Sequence, residues 1–431
     1  MMKSRGCLTC SVSISIGAWV TVALGAPPAA PAGAPAAAKP APPVVAAKDV
    51  SGLTVGNPST FARVKETIVL SGNELAKAVP GLELKKTLVV DAAGRAVLSQ
   101  LVDMSGDDEP DELVFQADFA AGETKRFTLR QGERPAHAAP ADYRVYGRFV
   151  RERHDDFVWE NDLVIHRMYG PDLESWAKDP LVSSGIDTWT KRVPKLVVNE
   201  WYMTDDYHRD NGEGADFYGV GKSRGCGGLG LWSNGKLYPS RNFTRSRVLA
   251  NGPIRLVFEL AYAPWEAPGG LKVSETKRVI LDAGTPFNQF ESTFTGAAKT
   301  PLSVGIGIAK HAGSTVQIDP TVGFMRTWEP LKGAKGEPSG NLGCAIILNS
   351  GAPLTAQNGD LDYLAVTSSD AQGRVAYRAG SAWDKAGRVR DADTWSKTVE
   401  GAAHRAQAAM KIAFVPSAGA GKVGATVAVP K

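Results

Sequence analysis

Hydrophobic residues in this chain occur in short runs, interrupted by glycine, proline and clusters of polar residues, which is typical of a protein built from strands. Residues 49–140 contain several such runs and one alternating segment, separated by glycine turns. Residues 141–431 repeat the pattern, and many strands with few helices indicate a sandwich. The strands predicted in this second part are 162–169, 195–203, 253–262, 273–281, 287–294, 302–311, 344–348 and 363–367.

One segment near the C-terminus departs from this pattern and predicts a helix over residues 391–411. Asp391 provides an N-cap, and Trp395, Val399 and Ala403 recur at helical spacing. A single helical turn is expected at 73–79. The fold class predicted is therefore mostly β, with an N-terminal sandwich-like domain, a second and larger β-domain, and one C-terminal helix.

Changes in composition divide the chain into four predicted regions. Lys3 and Arg5 precede an apolar run and small residues near position 25, which predicts a secretory signal peptide over residues 1–25. Residues 26–48 are mostly Ala and Pro and predict an extended linker. A second change near residue 140 predicts a boundary between domains 49–140 and 141–431. We therefore expect a periplasmic or secreted protein with no membrane insertion after signal cleavage.

The charges and cysteines exclude some functions and leave others open. The formal net charge is +4, and no block interleaves basic and aromatic residues, so nucleic acid is not an expected partner. Outside the predicted signal peptide the cysteines are Cys226 and Cys344, which either pair or remain separate buried thiols. The acidic run at residues 103–112 suits a hairpin loop better than a calcium site.

Residues 199–228 are unusually rich in charged residues, glycines and tyrosines. Their hydrophobic residues do not recur at helical spacing, and they do not alternate with polar residues for long after Met203. A polar loop of this length is usually functional or disordered. Trp201 and Tyr218 are residues that favour burial, so we expect an ordered loop that lines a polar cleft.

The strand at residues 303–311 carries bulky apolar residues on one face and Gly305, Gly307 and then His311 on the other. A face of small residues allows another group to approach the backbone closely. We therefore expect His311 to point into a groove and to share one cleft with His208.

Three segments together resemble a known family: 155–171 (DDFVWENDLVIHRMYGP), 207–228 (YHRDNGEGADFYGVGKSRGCGG) and 377–387 (YRAGSAWDKAG). The chain resembles, from about residue 50 onward, a bacterial family catalogued as a domain of unknown function and found beside polysaccharide-degrading enzymes. That family is similar to a dehydratase that acts on ulvan oligosaccharides. The resemblance implies a galactose-mutarotase-like β-supersandwich and β-elimination at a non-reducing-end uronic acid.

Elimination from a uronic acid requires a base for the C5 proton, cationic or hydrogen-bonding groups for the carboxylate, and a proton donor for the leaving oxygen at C4. An acidic oligosaccharide is the expected partner. The predicted catalytic residues are His208, Tyr218, Arg224 and His311. The predicted substrate-binding residues are Tyr207, Glu213, Asp216, Arg167 and Trp201, where Arg167 and its neighbour His166 must face opposite sides of a strand.

Two other functions fit the same residues. Glu213 and Asp216 suit a glycoside hydrolase, which uses two carboxylates. A non-catalytic sugar-binding module would instead use exposed tryptophans as stacking platforms, with Trp159, Trp201, Trp232 and Trp328 as candidates. No cofactor is expected, although the group His208, Asp210, Glu213 and Asp216 leaves a divalent cation open.

Overall fold

The computed structural model describes residues 48–135, 138–204, 206–267, 269–296, 301–349 and 351–416. The predicted signal peptide and almost all of the predicted linker lie outside these residues. The strands of the first half are β1 Lys48–Gly56, β2 Arg63–Ser71, β3 Thr87–Asp91, β4 Ala96–Val97, β5 Ser99–Val102, β6 Glu112–Phe119, β7 Thr124–Gln131, β8 Val145–Val150, β9 Asp156–Asn161, β10 Ile165–Met168, β11 Asp187–Lys191 and β12 Gly214–Ala215.

The strands of the second half form longer hairpins. They are β13 Cys226–Ser233, β14 Lys236–Tyr238, β15 Arg245–Asn251, β16 Arg255–Ala267, β17 Leu271–Asp282, β18 Phe287–Thr295, β19 Ser303–Ala309, β20 Thr315–Asp319, β21 Phe324–Lys332, β22 Pro338–Leu348, β23 Thr355–Asn358, β24 Asp362–Ser368, β25 Arg374–Trp383 and β26 Lys411–Pro416. The α-helices are α1 Gly72–Ala78, α2 Val198–Thr204 and α3 Ala392–Gln407, and the mostly-β prediction is confirmed.

The residues that the structure describes form five antiparallel sheets. The N-terminal sandwich packs the sheet β26-β1-β7-β3-β4 against β2-β6-β5 around a small apolar core. Strand β26 pairs with β1, so the C-terminal strand completes this first sandwich. The main core lies between an eight-stranded sheet, β15-β16-β17-β18-β25-β22-β21-β20, and the five-stranded sheet β14-β13-β19-β24-β23. The remaining sheet, β12-β11-β10-β9-β8, adds the inner face of its strands to the same core.

Helix α3 confirms the helix expected at the C-terminal end. The Asp391 carboxylate accepts a hydrogen bond from Thr394 N, and Trp395, Val399 and Ala403 are buried against the eight-stranded sheet. The hydrophobic repeat therefore specified both the helix and its buried face.

The strand predicted at 195–203 is wrong, because α2 occupies most of this segment. The Glu160 carboxylate accepts hydrogen bonds from Val197 N and Val198 N, both 2.8 Å, and so satisfies backbone donors at the helix start. Val198, Trp201 and Tyr202 then lie at helical spacing and are buried. A carboxylate from a distant strand sets the start of this helix, which local sequence does not reveal.

Two smaller expectations are resolved by the packing. Cys226 and Cys344 are both buried free thiols. The acidic run forms the loop between β5 and β6, where Asp103 accepts hydrogen bonds from the backbone N–H groups of Ser105 and Asp108.

In the part of the chain that the structure describes, no helix is long and apolar enough to cross a membrane.

Candidate functional site

The sheet β12-β11-β10-β9-β8 has two different faces, because side chains alternate along each strand. Trp159 and Met168 point into the main core, and His166 stacks on Trp159 with ring centroids 5.4 Å apart. Val158 and Trp189 belong to a separate apolar cluster on the outer face. Charged residues share this outer face, and they form the candidate site.

Arg167 is the centre of a buried cluster of carboxylates, which we call the Arg167 cluster: Asp156, Arg167, Asp187 and Asp216. Arg167 Nε lies 3.0 Å from an Asp156 oxygen, and Arg167 Nη1 lies 4.0 Å from an Asp187 oxygen. Asp187 is directly opposite Arg167 in the register of β10 and β11. Asp216 comes from the covering segment and feels the charge of Arg167. One guanidinium therefore serves three carboxylates that are 8% exposed or less.

The carboxyl groups of this cluster have raised pKa values. Burial raises the pKa of Asp156 to about 6, and Arg167 opposes that change. Burial and the nearby charge of Asp216 raise the pKa of Asp187 to about 7. Burial also raises the pKa of Asp216 to about 6. Carboxyls that exchange protons near neutral pH are suited to acid–base chemistry and are enriched at functional sites.

Two further polar groups of this region lack partners. Asp187 Oδ1 and the Tyr202 hydroxyl are buried and make no hydrogen bond to any described residue. Both groups lie among the charges of the cluster, since Arg167, Asp156 and Asp187 all affect the pKa of Tyr202. Buried polar atoms without partners are costly in a purely structural cluster, so they favour a functional explanation.

The charged segment after α2 covers the outer face as an ordered loop. The Tyr207 ring stacks on Trp189, with centroids 4.9 Å apart and planes 12° apart, and the Arg153 guanidinium lies 4.7 Å from the centre of the Tyr207 ring. Asp216 N donates to Tyr207 O at 2.7 Å. These contacts hold the loop on the sheet and bring Asp216 to Arg167. Trp201, a predicted substrate-binding residue, is buried beside Trp189, with ring centroids 6.1 Å apart.

His208 lies at the exposed edge of the Arg167 cluster. Its Nδ1 is 3.3 Å from the Asp216 carbonyl oxygen and 3.6 Å from an Asp216 carboxylate oxygen. The side chain is 57% exposed, and among the described residues Nε2 has no hydrogen-bond partner. A proton on Nδ1 is therefore directed to Asp216, which leaves the Nε2 lone pair facing solvent. This is the orientation that a general base requires.

His311 has a different environment from His208. Its Nδ1 lies 2.8 Å from a Glu329 carboxylate oxygen and its Nε2 lies 2.6 Å from the Gly219 carbonyl oxygen. Both neighbours are hydrogen-bond acceptors, so the arrangement is satisfied by a doubly protonated ring. Burial alone would lower the pKa of His311, but the hydrogen bond and charge of Glu329 raise it. His311 therefore acts as a fixed cation in this conformation.

The two histidines flank one short segment of the covering loop. His208 contacts the carbonyl of Asp216 and His311 contacts the carbonyl of Gly219, three residues later. Tyr218 lies between these contact points and meets the His311 ring edge-on at a centroid distance of 5.0 Å. Tyr218 is buried beside the Cys344 thiol, and burial raises its pKa well above the ordinary value.

Arg224, one of the predicted catalytic residues, is an interior residue. Its guanidinium donates to Ser184 Oγ and to Lys222 O, both at 2.9 Å. Its side chain packs against Gly307. A Cβ atom added to that glycine would lie only 2.7 Å from Arg224 Cβ and Cγ. The glycine-bearing face of β19 is thus occupied by the protein's own side chains, Arg224 and, over Gly305, Leu237. The catalytic roles assigned to Arg224, Tyr218 and His311 stay predictions. The side-chain partners of Arg224 and His311 lie outside the Arg167 cluster, whereas the Tyr218 backbone hydrogen-bonds to Asp216.

The remaining acidic residues of the loop have separate partners. Glu213 lies 2.7 Å from Lys195 Nζ and accepts from Trp201 Nε1 at 3.1 Å. The hydrogen bond from Lys195 and then that from Trp201 lower the pKa of Glu213. Asp210 pairs with Arg192. Within the described residues, no group of three or more His, Cys, Asp or Glu side chains could hold a metal ion, so the four candidate ligands do not form such a group.

Comparison with known proteins assigns the chain to a family. A family model described as "Domain of unknown function (DUF4861)" matches residues 55–412. The chain belongs to the DUF4861 family. This DUF4861 chain is also 33% identical over 368 residues to "Uncharacterized protein P7" of Formosa agariphila, a match that covers 81% of this chain and 89% of the relative.

Solved structures similar to the DUF4861 chain come from larger proteins. An alpha-mannosidase from Enterococcus faecalis V583 superposes with a TM-score of 0.45 at 12% identity, over 85% of this chain and 46% of the other. A glycosyl hydrolase family 38 protein from Enterococcus faecalis gives a TM-score of 0.44 at 12% identity, over 85% of this chain and 47% of the other. The chain therefore spans about half the length of these structures.

The three segments that carry the family resemblance meet in the DUF4861 structure. The first segment supplies Asp156 and Arg167, and the second supplies Asp216. The third contacts the second, because the Tyr377 hydroxyl donates to Gly227 O at 2.7 Å. Sequence reasoning missed Asp187, although a charged residue that opens the short run Asp-Thr-Trp-Thr-Lys signals a polar position on a buried strand.

Proposed function

We propose that this protein is a carbohydrate-active enzyme, a carbon–oxygen lyase or dehydratase that acts on uronic-acid-containing oligosaccharides by β-elimination at the Arg167 cluster. The observation that carries the proposal is the placement of His208. Its Nδ1 faces Asp216, a carboxyl group whose pKa burial raises to about 6, and its Nε2 is open to solvent. The family's resemblance to an ulvan-oligosaccharide dehydratase supplies the substrate class. The predicted signal peptide supports the proposal that this activity lies in the periplasm or outside the cell.

The proposed first step is removal of the C5 proton by His208 Nε2. The C–H electrons form the new C4–C5 double bond through an aci-carboxylate, and the C4–oxygen bond breaks. The ring can accept the proton without moving, because Nδ1 is already directed to Asp216. The Asp216 carbonyl oxygen remains beside Nδ1 in either protonation state of the Asp216 side chain, so the imidazolium that forms keeps a hydrogen-bond acceptor.

The substrate carboxylate requires a cation, and the structure offers two arginines near His208. Arg153 lies against the Tyr207 ring, next to His208, and Arg167 lies behind Asp216. The charges of both arginines lower the pKa of Asp216. We assign direct contact with the carboxylate to Arg153, with the buried charge of Arg167 behind it, in place of Arg224, whose guanidinium donates to Ser184 and Lys222 in the interior.

The leaving oxygen at C4 requires a proton, and Asp216 is the proposed donor. Burial raises the pKa of its carboxyl to about 6, so a protonated fraction persists at mildly acidic pH. The cycle closes when His208 returns its proton to solvent and Asp216 is reprotonated. Water leaves as the co-product if the C4 substituent is a hydroxyl, which makes the reaction a dehydration.

Hydrolysis of a glycosidic bond is the second candidate, because one observation favours it. The pKa of Asp216 is raised while the pKa of Glu213, three residues away, is lowered. Such a division is typical of a carboxyl pair in which one group is the acid and the other is the nucleophile or base. Glu213 is committed to Lys195 and Trp201, so we rank this function second.

Mass spectrometry of the reaction products tests the proposed function. The purified protein is incubated with uronic-acid-terminated oligosaccharides, and the masses before and after are compared. Dehydration gives a product that is lighter by one water molecule. Hydrolysis gives fragments that together contain one additional water molecule, and a binding module leaves the substrate unchanged. Hydrolysis fragments or an unchanged uronic-acid-terminated oligosaccharide would each reject the proposal.

A further inference from the structure

A large groove lies apart from the Arg167 cluster, between β2 of the N-terminal sandwich, strands of the eight-stranded sheet, and α3. Its walls include apolar residues such as Phe287 and Met410. Five basic and three acidic side chains line it: Arg63, Lys65, Arg255, Arg378 and Arg405, and Glu66, Glu112 and Asp282. None of these residues belongs to the Arg167 cluster, so the groove is a separate feature with an excess of positive charge.

Three of the basic residues already have ionic partners. Arg255 forms a two-point contact with Asp282, with nitrogen–oxygen distances of 2.7 and 2.9 Å. Arg63 lies 2.8 Å from Glu66. Lys65 lies 2.9 Å from Asp162. Arg255 also lies 3.1 Å from Glu112, so each acidic residue of the groove has a basic partner, and Arg378 and Arg405 are the two arginines outside these pairs.

Arg378 and Arg405 contact only neutral oxygens. Arg378 Nη1 donates to Asn349 Oδ1 at 3.3 Å, and Arg405 Nε donates to Gly401 O at 3.2 Å. Neither residue forms a salt bridge within the described residues. Burial lowers the pKa of both guanidinium groups, and the charge of Arg63 lowers that of Arg405 further. Desolvated cations without an ion pair are costly for a protein that does not use them.

We propose that Arg378 and Arg405 form an oxyanion-binding site in this groove, which takes the carboxylate or sulfate group of an anionic ligand. Both arginines line the same groove, and both are within electrostatic reach of Glu66, while Asp282, already paired with Arg255, also acts on Arg378. A planar guanidinium offers two parallel donors to an oxyanion, which explains arginine rather than lysine at both positions. The apolar wall formed by Phe287 and Met410 suits the carbon frame of an organic anion better than a fully hydrated ion.

Calorimetric titration of the full chain tests the site, with sodium sulfate, potassium phosphate and a sulfated or uronate oligosaccharide as separate probes. Arg378→Gln and Arg405→Gln each remove one guanidinium. Arg374→Gln and Lys397→Gln are the matched controls, because they remove one positive charge from the exposed face of the same strand or helix. Chloride at equal ionic strength controls for general salt effects.

We expect the wild type and both controls to bind at least one probe, and the two arginine variants to bind it at least tenfold more weakly. Tighter binding of the oligosaccharide than of inorganic ions identifies a saccharide as the source, whereas equal binding identifies a small-ion site. If the glutamine variants do not fold, Arg378→Lys and Arg405→Lys retain the charge and should still weaken binding. No binding by the wild type, or equal weakening in the controls, would overturn the proposal. The measurement does not depend on turnover, so its outcome is independent of the function proposed above.

Discussion

Arg167 and Asp187 are directly opposite each other on neighbouring strands, and the guanidinium and carboxylate approach to 4.0 Å. Asp156 lies closer to the same guanidinium, at 3.0 Å, and the charge of Arg167 also lowers the pKa of Asp216 on the covering loop. The charge of Arg167 thus limits how far burial raises all three pKa values, and Arg153 adds to this effect at Asp156 and Asp216. The charge of Arg167 therefore affects both the stability of the folded cluster and the protonation of Asp216, the proposed acid.

Replacement of Arg167 tests that link. Arg167→Gln removes the charge that opposes the raised pKa of Asp216, so this pKa should rise further. If protonated Asp216 is the acid, the alkaline limb of the kcat/KM profile should move to higher pH, while the maximum falls by about a hundredfold or more. Arg241→Gln, at an exposed arginine that pairs with Glu174, is the control and should leave the profile unchanged. An unshifted alkaline limb in Arg167→Gln would separate the cluster from catalysis.

Stability should depend on pH through Asp187. Its pKa is about 7 in the folded protein and 3.8 as its ordinary value, so the folded state binds the proton more tightly than the unfolded chain. The resulting contribution to the free energy of unfolding is complete below the ordinary value and is lost as pH rises through about 7. Asp187→Asn keeps an oxygen for the Trp189 indole N–H and should flatten the dependence of Tm on pH between 3.8 and about 7, the interval between the ordinary and the folded pKa. An unchanged slope contradicts the raised pKa.

The protonation of His311 can be measured directly. Nuclear magnetic resonance titration of the ring should give a pKa above the ordinary 6.5, because Glu329 accepts from Nδ1. Glu329→Gln removes the negative charge and should lower that pKa. The stability that His311 contributes is present below 6.5 and is lost as pH rises through the folded pKa. A His311 pKa at or below 6.5 in the wild type would mean that the ring is not held as a cation.

The patterns in the sequence predicted those parts of the fold that depend on local spacing. Helix α3 follows from Asp391 and the spacing of Trp395, Val399 and Ala403. Helix α2 was missed because its start depends on Glu160, which lies on another strand. Likewise, alternation placed Arg167 on the face opposite His166, but the order of β9, β10 and β11 decides which carboxylates meet it. Pairing between strands is information that a single sequence does not display.

Glu213 separates the two enzymatic functions. Glu213→Gln should change turnover by only a few-fold if the reaction is elimination, because the carboxylate then serves to hold Lys195 and Trp201. If the reaction is hydrolysis with Glu213 as nucleophile or base, this variant should be the most damaging. Lys195→Gln is the matched control, since it breaks the same ion pair without changing a carboxylate. Comparison of initial rates for the three proteins decides between these outcomes.

The most direct test of the central claim is the ultraviolet absorbance of the unsaturated product, recorded with wild type, His208→Ala and His404→Ala on a uronic-acid-terminated oligosaccharide. His208 and His404 are both exposed, so both variants should fold normally. The account predicts absorbance growth without new reducing ends in the wild type and in His404→Ala, and a rate about a hundredfold or more lower in His208→Ala. Absorbance growth in His208→Ala within a few-fold of the wild-type rate would contradict a base at this position.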